Sequence, residues 1–185
     1  MIVPAEVAAP FLTGEYRLAV ENPDHSWYAV YTKSRHEQLV RKQLEGKGIA
    51  NFLPVYEKTS QWKDRTKRIT LPLFPGYLFV KILWYERLEV LKAFGVVHIV
   101  GNGYHPQPIP EEQILNILAF RDSGFNYESH PYLNEGNKIR IVDGPLAGLE
   151  GILVRKKNQS RLVVSVDLIQ RSVSVEIDSW KIERI

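Results

Sequence analysis

The chain has 185 residues, 44% of them hydrophobic and 24% charged, with a formal net charge of +3. This is the balance of a globular protein of one or two small domains that needs no cofactor for stability. The absence of cysteine excludes disulfides, thiolate metal sites and cysteine nucleophiles and points to a reducing compartment. With no leader pattern and no apolar run long enough for a membrane span, the expectation is a cytoplasmic protein without a membrane partner.

Residues 1–24 carry Pro4, Pro10, Gly14 and Pro23 and show no sustained period, which predicts a flexible acidic tail. Trp27 to Thr32 is aromatic and β-branched and reads as a strand. Ser34-Arg35-His36-Glu37 fits a capping box, and a helix should run from there to Lys47 with Gly48 as its stop. Ile49 to Tyr56 predicts a second strand, and Gln61 to Arg68 the exposed tip of a hairpin. In both 26–50 and 51–70, five Lys or Arg face two acidic residues, whereas 1–25 holds four acids against Arg17 alone. So concentrated a positive block is a candidate nucleic-acid track, and equally a solvated face.

Leu71 to Val80 is the most informative stretch. Counting by twos puts Leu78, Val80 and Ile82 on one face of a strand and Tyr77, Phe79 and the stem of Lys81 on the other, so one face can build a core while the second takes a partner. A helical turn near Trp84 to Ala93 follows, then a short strand, Val96 to Val100. Pro110-Glu111-Glu112 opens a helix with Ile114, Ile117, Leu118 and Arg121 at helical spacing, which Ser123-Gly124 ends. The order predicts an α+β sandwich of helices on a mainly antiparallel sheet. Residues 125–134 read as a linker.

From Glu135 onward the pattern is one of short strands: Lys138 to Val142, Gly151 to Arg155, Leu162 to Val166, Val173 to Ile177 and Trp180 to Ile182. Five such strands predict a small barrel. Gly144, Gly148 and Gly151 are not a phosphate-binding loop, because a strand rather than a helix follows them; they serve turn geometry. The density of β-branched residues favours a permanently β-structured unit, tethered but not docked.

Trp27 to Tyr31, Phe74-Pro75-Gly76-Tyr77-Leu78-Phe79-Val80, Gly95 to Gly101 and Gly136 to Gly151 together resemble the NusG family of transcription elongation factors. The resemblance implies an N-terminal NusG-type (NGN) α/β sandwich over 25–124, a linker over 125–134 and a KOW domain with an SH3-like β-barrel over 135–185. It further implies that Phe74, Tyr77 and Phe79 grip the clamp helices of the largest RNA polymerase subunit. On that reading Tyr77→Ala with Phe79→Ala leaves folding intact; the alternative is that the two rings pack under a helix.

By the same resemblance, Lys33, Arg35 and His36 face upstream and non-template DNA, and the arm residues Lys63, Arg65, Lys67 and Arg68 reach duplex DNA or another polymerase lobe. Leu168 and Ile169 match the KOW position that binds the ribosomal protein NusE. Housekeeping members commonly carry Phe where Ile169 stands, so Rho binding is left open, and Ile169 reads equally well as a core residue. The motifs resemble the RfaH- and UpxY-like antiterminator branch, although Leu71, Leu39 and Gly46 depart from RfaH.

The expected function is therefore a monomeric elongation factor that suppresses pausing and termination on selected operons. A housekeeping NusG and a ribosome-associated RNA-binding KOW protein are the alternatives. No enzyme is expected, since the five histidines are scattered and neither metal-ligand spacing nor a nucleophile motif occurs.

Overall fold

The computed structural model describes residues 24–61, 66–102, 105–156, 159–177 and 182–185. The expected tail over 1–24 lies outside the described residues apart from Asp24.

Two antiparallel sheets organise the chain. The first has the order β2-β5-β1-β6, formed by β1 (Ser26–Thr32), β2 (Asn51–Phe52), β5 (Tyr77–Ile82) and β6 (Val96–Ile99). Between β2 and β5, β3 (Val55–Gln61) and β4 (Thr66–Pro72) make a two-stranded arm. The short strands β7 (Gly101–Asn102) and β8 (His105–Pro106) pair with each other. The α+β character and the hairpin follow the expectation.

One face of the first sheet is closed by α1 (Glu37–Gly46) and α2 (Arg87–Leu91). Tyr28, Val30, Leu78, Val80 and Ile82 pack there against Val40, Leu44 and Val90. The other face is also apolar, as the alternation in β5 requires: Trp27, Ala29, Phe52 and Phe79 meet α3 (Glu111–Asp122). Helix α1 ends at Gly46, and Gly48 takes φ +71° just beyond it, as the stop signal predicts. Its start differs from the expected capping box. His36 is the N-cap and no side chain caps the helix, because Glu37 turns away to another part of the fold.

The second sheet has six strands in the order β14-β10-β11-β12-β13-β9: β9 (Tyr127–His130), β10 (Asn137–Ile141), β11 (Glu150–Lys156), β12 (Gln159–Val166), β13 (Arg171–Glu176) and β14 (Ile182–Arg184). All its pairings are antiparallel, and among the described residues the ladder does not close on itself. Two expectations change here. Residues 127–130, read as linker, form an edge strand on β13, with Val175 opposite Tyr127. The second sheet is also docked rather than merely tethered, since its buried residues Ile139, Leu162, Val164 and Ile169 join one core with Phe79, Ile117 and Phe120.

Helix α3 explains the docking. Ile114, Ile117, Leu118, Ala119 and Phe120 are all buried, so its apolar surface runs around the helix rather than along one stripe. Such a helix needs cover on two sides. Lys81, itself buried, holds its N-terminus to the first sheet through a 2.7 Å ion pair with Glu111, while Gln113 reaches the second sheet. No helix among the described residues is long and apolar enough to cross a membrane.

Candidate functional site

The turn between β4 and β5 is locked from two directions. Gly76 has φ +84°, a conformation that side-chain-bearing residues rarely adopt, and a Cβ there would lie 3.1 Å from the Tyr31 ring. Its N–H donates to Glu37 Oε1 at 2.7 Å, and its carbonyl accepts the Thr32 N–H at 2.8 Å. The first turn of α1, the end of β1 and the Phe-Pro-Gly-Tyr turn are thereby one unit.

The expected aromatic ridge is only partly at the surface. Phe74 and Phe79 are 0% exposed. Their rings meet edge-on at 6.1 Å, and Phe52 stacks on Phe79 at 6.2 Å. This is a core contact, which corrects the expectation that both rings stand ready for a partner. The second face of β5 is apolar because it carries α3. Tyr77 is half-buried at the margin of this core. It packs against Tyr31 at 5.2 Å, and Tyr31 in turn meets His98 at 5.3 Å. The three are cross-strand neighbours, since Tyr31 is opposite both Tyr77 on β5 and His98 on β6. Tyr31 and His98 went unread in the sequence, although Tyr31 lies on the Trp27 and Ala29 face of β1 by the same count of two.

Lys33, Arg35 and His36 lie together in the turn before α1. Lys33 and Arg35 are exposed and His36 is half-buried. Arg35 has φ +62°, and His36 Nδ1 lies 2.9 Å from the Ser34 carbonyl oxygen. Phe94 joins them: the Lys33 ammonium is 5.3 Å from its ring centroid and the His36 ring 5.8 Å. Gly95 fixes this arrangement. Its carbonyl accepts the Lys33 N–H, and a Cβ on it would approach His36 Cβ to 3.0 Å. Phe94 is 62% exposed. Sequence reading passed over it because one aromatic beside a glycine carries no period.

On the arm, Arg68 is exposed and opposite Thr59, and Lys67 is opposite Ser60 in the hairpin register. Lys63 and Arg65 lie outside the described residues. In the second sheet Gly144 and Gly148 adopt φ +94° and +90°, as turn glycines should, whereas Gly151 is a strand residue where a Cβ would meet the Val163 carbonyl at 2.6 Å. Leu168 is half-buried and Ile169 is buried. Both sit in a 3-10 turn, Asp167–Ile169, that faces α3. Ile169 is therefore a core residue in this arrangement, not an open contact.

That turn is held by polar bonds. Gln113 donates to Asp167 Oδ2 at 2.8 Å and accepts the Asp167 N–H at 3.2 Å, while Tyr132 donates to Asp167 Oδ1 at 3.0 Å. At the other end of the contact the Tyr127 hydroxyl donates to the Val55 carbonyl. Burial raises the Tyr127 hydroxyl above its ordinary pKa of 10.0.

The family model described as "Transcription termination factor nusG" matches residues 25–118, just over half of the chain. The chain belongs to the NusG family. Among curated relatives, this NusG-family chain is 29% identical to the "Transcription termination/antitermination protein NusG" of Staphylococcus epidermidis, over 86% of this chain and 95% of that one. The protein of the same description from Staphylococcus aureus matches with the same identity and coverage. The solved structure described as "Domain interaction in Thermotoga maritima NusG" is 21% identical, covers 90% of this chain and 99% of that one, and superposes with a TM-score of 0.53. That is a likeness of fold.

Proposed function

We propose that this NusG-family chain is a transcription elongation and antitermination factor that engages the RNA polymerase clamp helices through Tyr77 and its neighbours and upstream DNA through Lys33, Arg35, His36 and Phe94. One observation carries this reading. The Glu37–Gly76 bond joins the aromatic edge to the cationic turn, so a protein docked by one surface presents the other at a fixed spacing. A cation beside an exposed ring suits a single strand, since a phosphate meets the Lys33 charge and a base stacks on Phe94. Arg68 and the rest of the arm lie toward duplex DNA.

On the same proposal residues 25–124 are the NGN unit and 135–185 the KOW unit, with an SH3-like barrel built from the antiparallel meander β10 to β14. Binding of a ribosomal protein by Leu168 and Ile169 requires the 3-10 turn to leave Gln113. The names of the curated relatives favour a second reading, that of a housekeeping NusG, and genome-wide occupancy separates the two: uniform binding marks a general factor, a few long operons a specialised one.

The direct test is retention of purified polymerase on the immobilised protein. Tyr77→Ala and Tyr31→Ala should lose retention while still unfolding cooperatively from a folded state at the assay temperature. Unchanged retention with both removes the aromatic edge from the contact.

A further inference from the structure

The outward side of the segment from Trp84 to Leu91 exposes more apolar surface than a solvent-facing turn requires. Tyr85, Leu88 and Leu91 are 71%, 55% and 43% exposed. Their three-residue spacing puts them on one side, while Val90 points inward to meet the core under α1. Trp84 anchors the base of this ridge. Its ring lies 5.5 Å from Tyr28, and the Arg87 guanidinium lies 4.8 Å from the Trp84 ring. Around the ridge, Arg87, Lys92 and Lys47 stand against Glu86 and Glu89, with Glu89 paired to both lysines. A contiguous apolar strip within a charged rim is the signature of a surface that something covers.

The chain itself delivers an occupant. It enters the described fold beside the ridge: His25 Nε2 is 3.6 Å from Glu86 Oε2, and β1 starts with the next residue. Twenty-three residues precede Asp24, and the family match begins only at residue 25. Within them Tyr16, Leu18 and Val20 alternate with Glu15, Arg17 and Glu21, and Phe11 and Leu12 lie further out. The eight residue steps from Tyr16 to Asp24 span up to roughly 27 Å when extended. The ridge from Tyr85 to Leu91 is about 9 Å long at helical rise, so reach is ample.

Tethering decides between this segment and a separate molecule. A peptide attached a few residues from its site is presented at an effective concentration in the millimolar range, so even a weak intrinsic affinity keeps the site filled. Acidic residues flanking the apolar ones, against a rim with one more cation than anion, act in the same direction.

We propose that residues 1–23 cover the ridge, with Tyr16, Leu18 and Val20 seated on Tyr85, Leu88 and Leu91. The segment is thus a built-in cover for a surface distinct from both the aromatic edge and the cationic turn.

Because the chain has no cysteine, a single nitroxide can be placed at will in the full-length protein. With the label on Lys92→Cys, at the rim, amide signals of residues 14–22 should fall at least about two-fold; with the label on Glu183→Cys they should not. Equal intensities with the two labels overturn the proposal. As a second measurement, deleting residues 1–23 should raise the fluorescence of an apolar-surface dye at least about two-fold, and Tyr85→Glu with Leu88→Glu in the deleted chain should reverse the rise. No rise overturns it. A full-length dimer in sedimentation velocity that Tyr85→Glu converts to monomer also overturns it, by assigning the ridge to a second copy.

Discussion

Glu37 and Gly76 are 39 residues apart in the chain, yet the carboxylate of the first holds the backbone N–H of the second at 2.7 Å. The bond is buried, so each partner is deprived of water and depends on the other.

Glu37→Ala should therefore cost about 1–3 kcal/mol, the penalty for orphaning a buried donor bonded to a charged group. Glu37→Gln keeps an acceptor and should cost less than half as much. Urea unfolding of the two variants checks the order. Gly76→Ala should also destabilise, because it combines φ +84° with a Cβ 3.1 Å from Tyr31.

Phe79→Ala is expected to cost about 3–5 kcal/mol, as other large-to-small changes in packed cores do, since the ring is fully buried between Phe52 and Phe74. Tyr77→Ala, at the margin, should cost under half of that. Matched denaturant curves test this; similar midpoints for the two variants would place the rings in equivalent environments.

Phe94→Ala should leave stability within about 0.5 kcal/mol of wild type, as exposed surface changes usually do, yet weaken single-stranded DNA binding by about 1–3 kcal/mol for the lost base stack. Lys33→Glu should act differently, lowering the slope of log affinity against log salt by about one phosphate's worth. Fluorescence anisotropy titrations at several salt concentrations separate the two effects.

The contact between the sheets should weaken at high pH. Burial raises the folded-state pKa of Tyr127 above 10.0, so the folded protein holds this proton where the unfolded chain has lost it. The resulting stabilisation is fully present below pH 10 and is lost as pH rises through the folded value. Tyr127→Phe should flatten the decline above pH 10 seen by hydrogen exchange in β13.

Much of this fold is legible because period and punctuation agree. The alternation in Tyr77 to Ile82 announces a strand apolar on both faces, and Gly48 and Gly124 stop their helices where expected, with φ +71° and +74°. What alternation does not tell is which molecule covers an apolar face, and α3 rather than a partner takes that of Phe79. Attention to Ile114, Ile117, Leu118 and Arg121 as one stripe overlooked Leu115, Ala119 and Phe120, whose presence makes the helix apolar around its circumference. The expected capping box failed for a similar reason. Glu37 has the right spacing for a local bond, but a distant glycine in a strained turn competes for its carboxylate. In the candidate site, Lys33, Arg35 and His36 were readable from charge, whereas Phe94, Tyr31 and His98 join their groups only through register and turn geometry, which no single-sequence pattern reports.

Strand β9 comes first in the second sheet but pairs with β13, nearly the last segment to be synthesised. A growing chain therefore completes β1 to β6 early, while the far side of α3 waits bare until β12, residues 159–166, emerges to pack on it. In that interval the helix offers its uncovered apolar surface to whatever is nearby. Truncation before residue 159 should accordingly harm the nascent protein through clumping long before it disturbs the finished half.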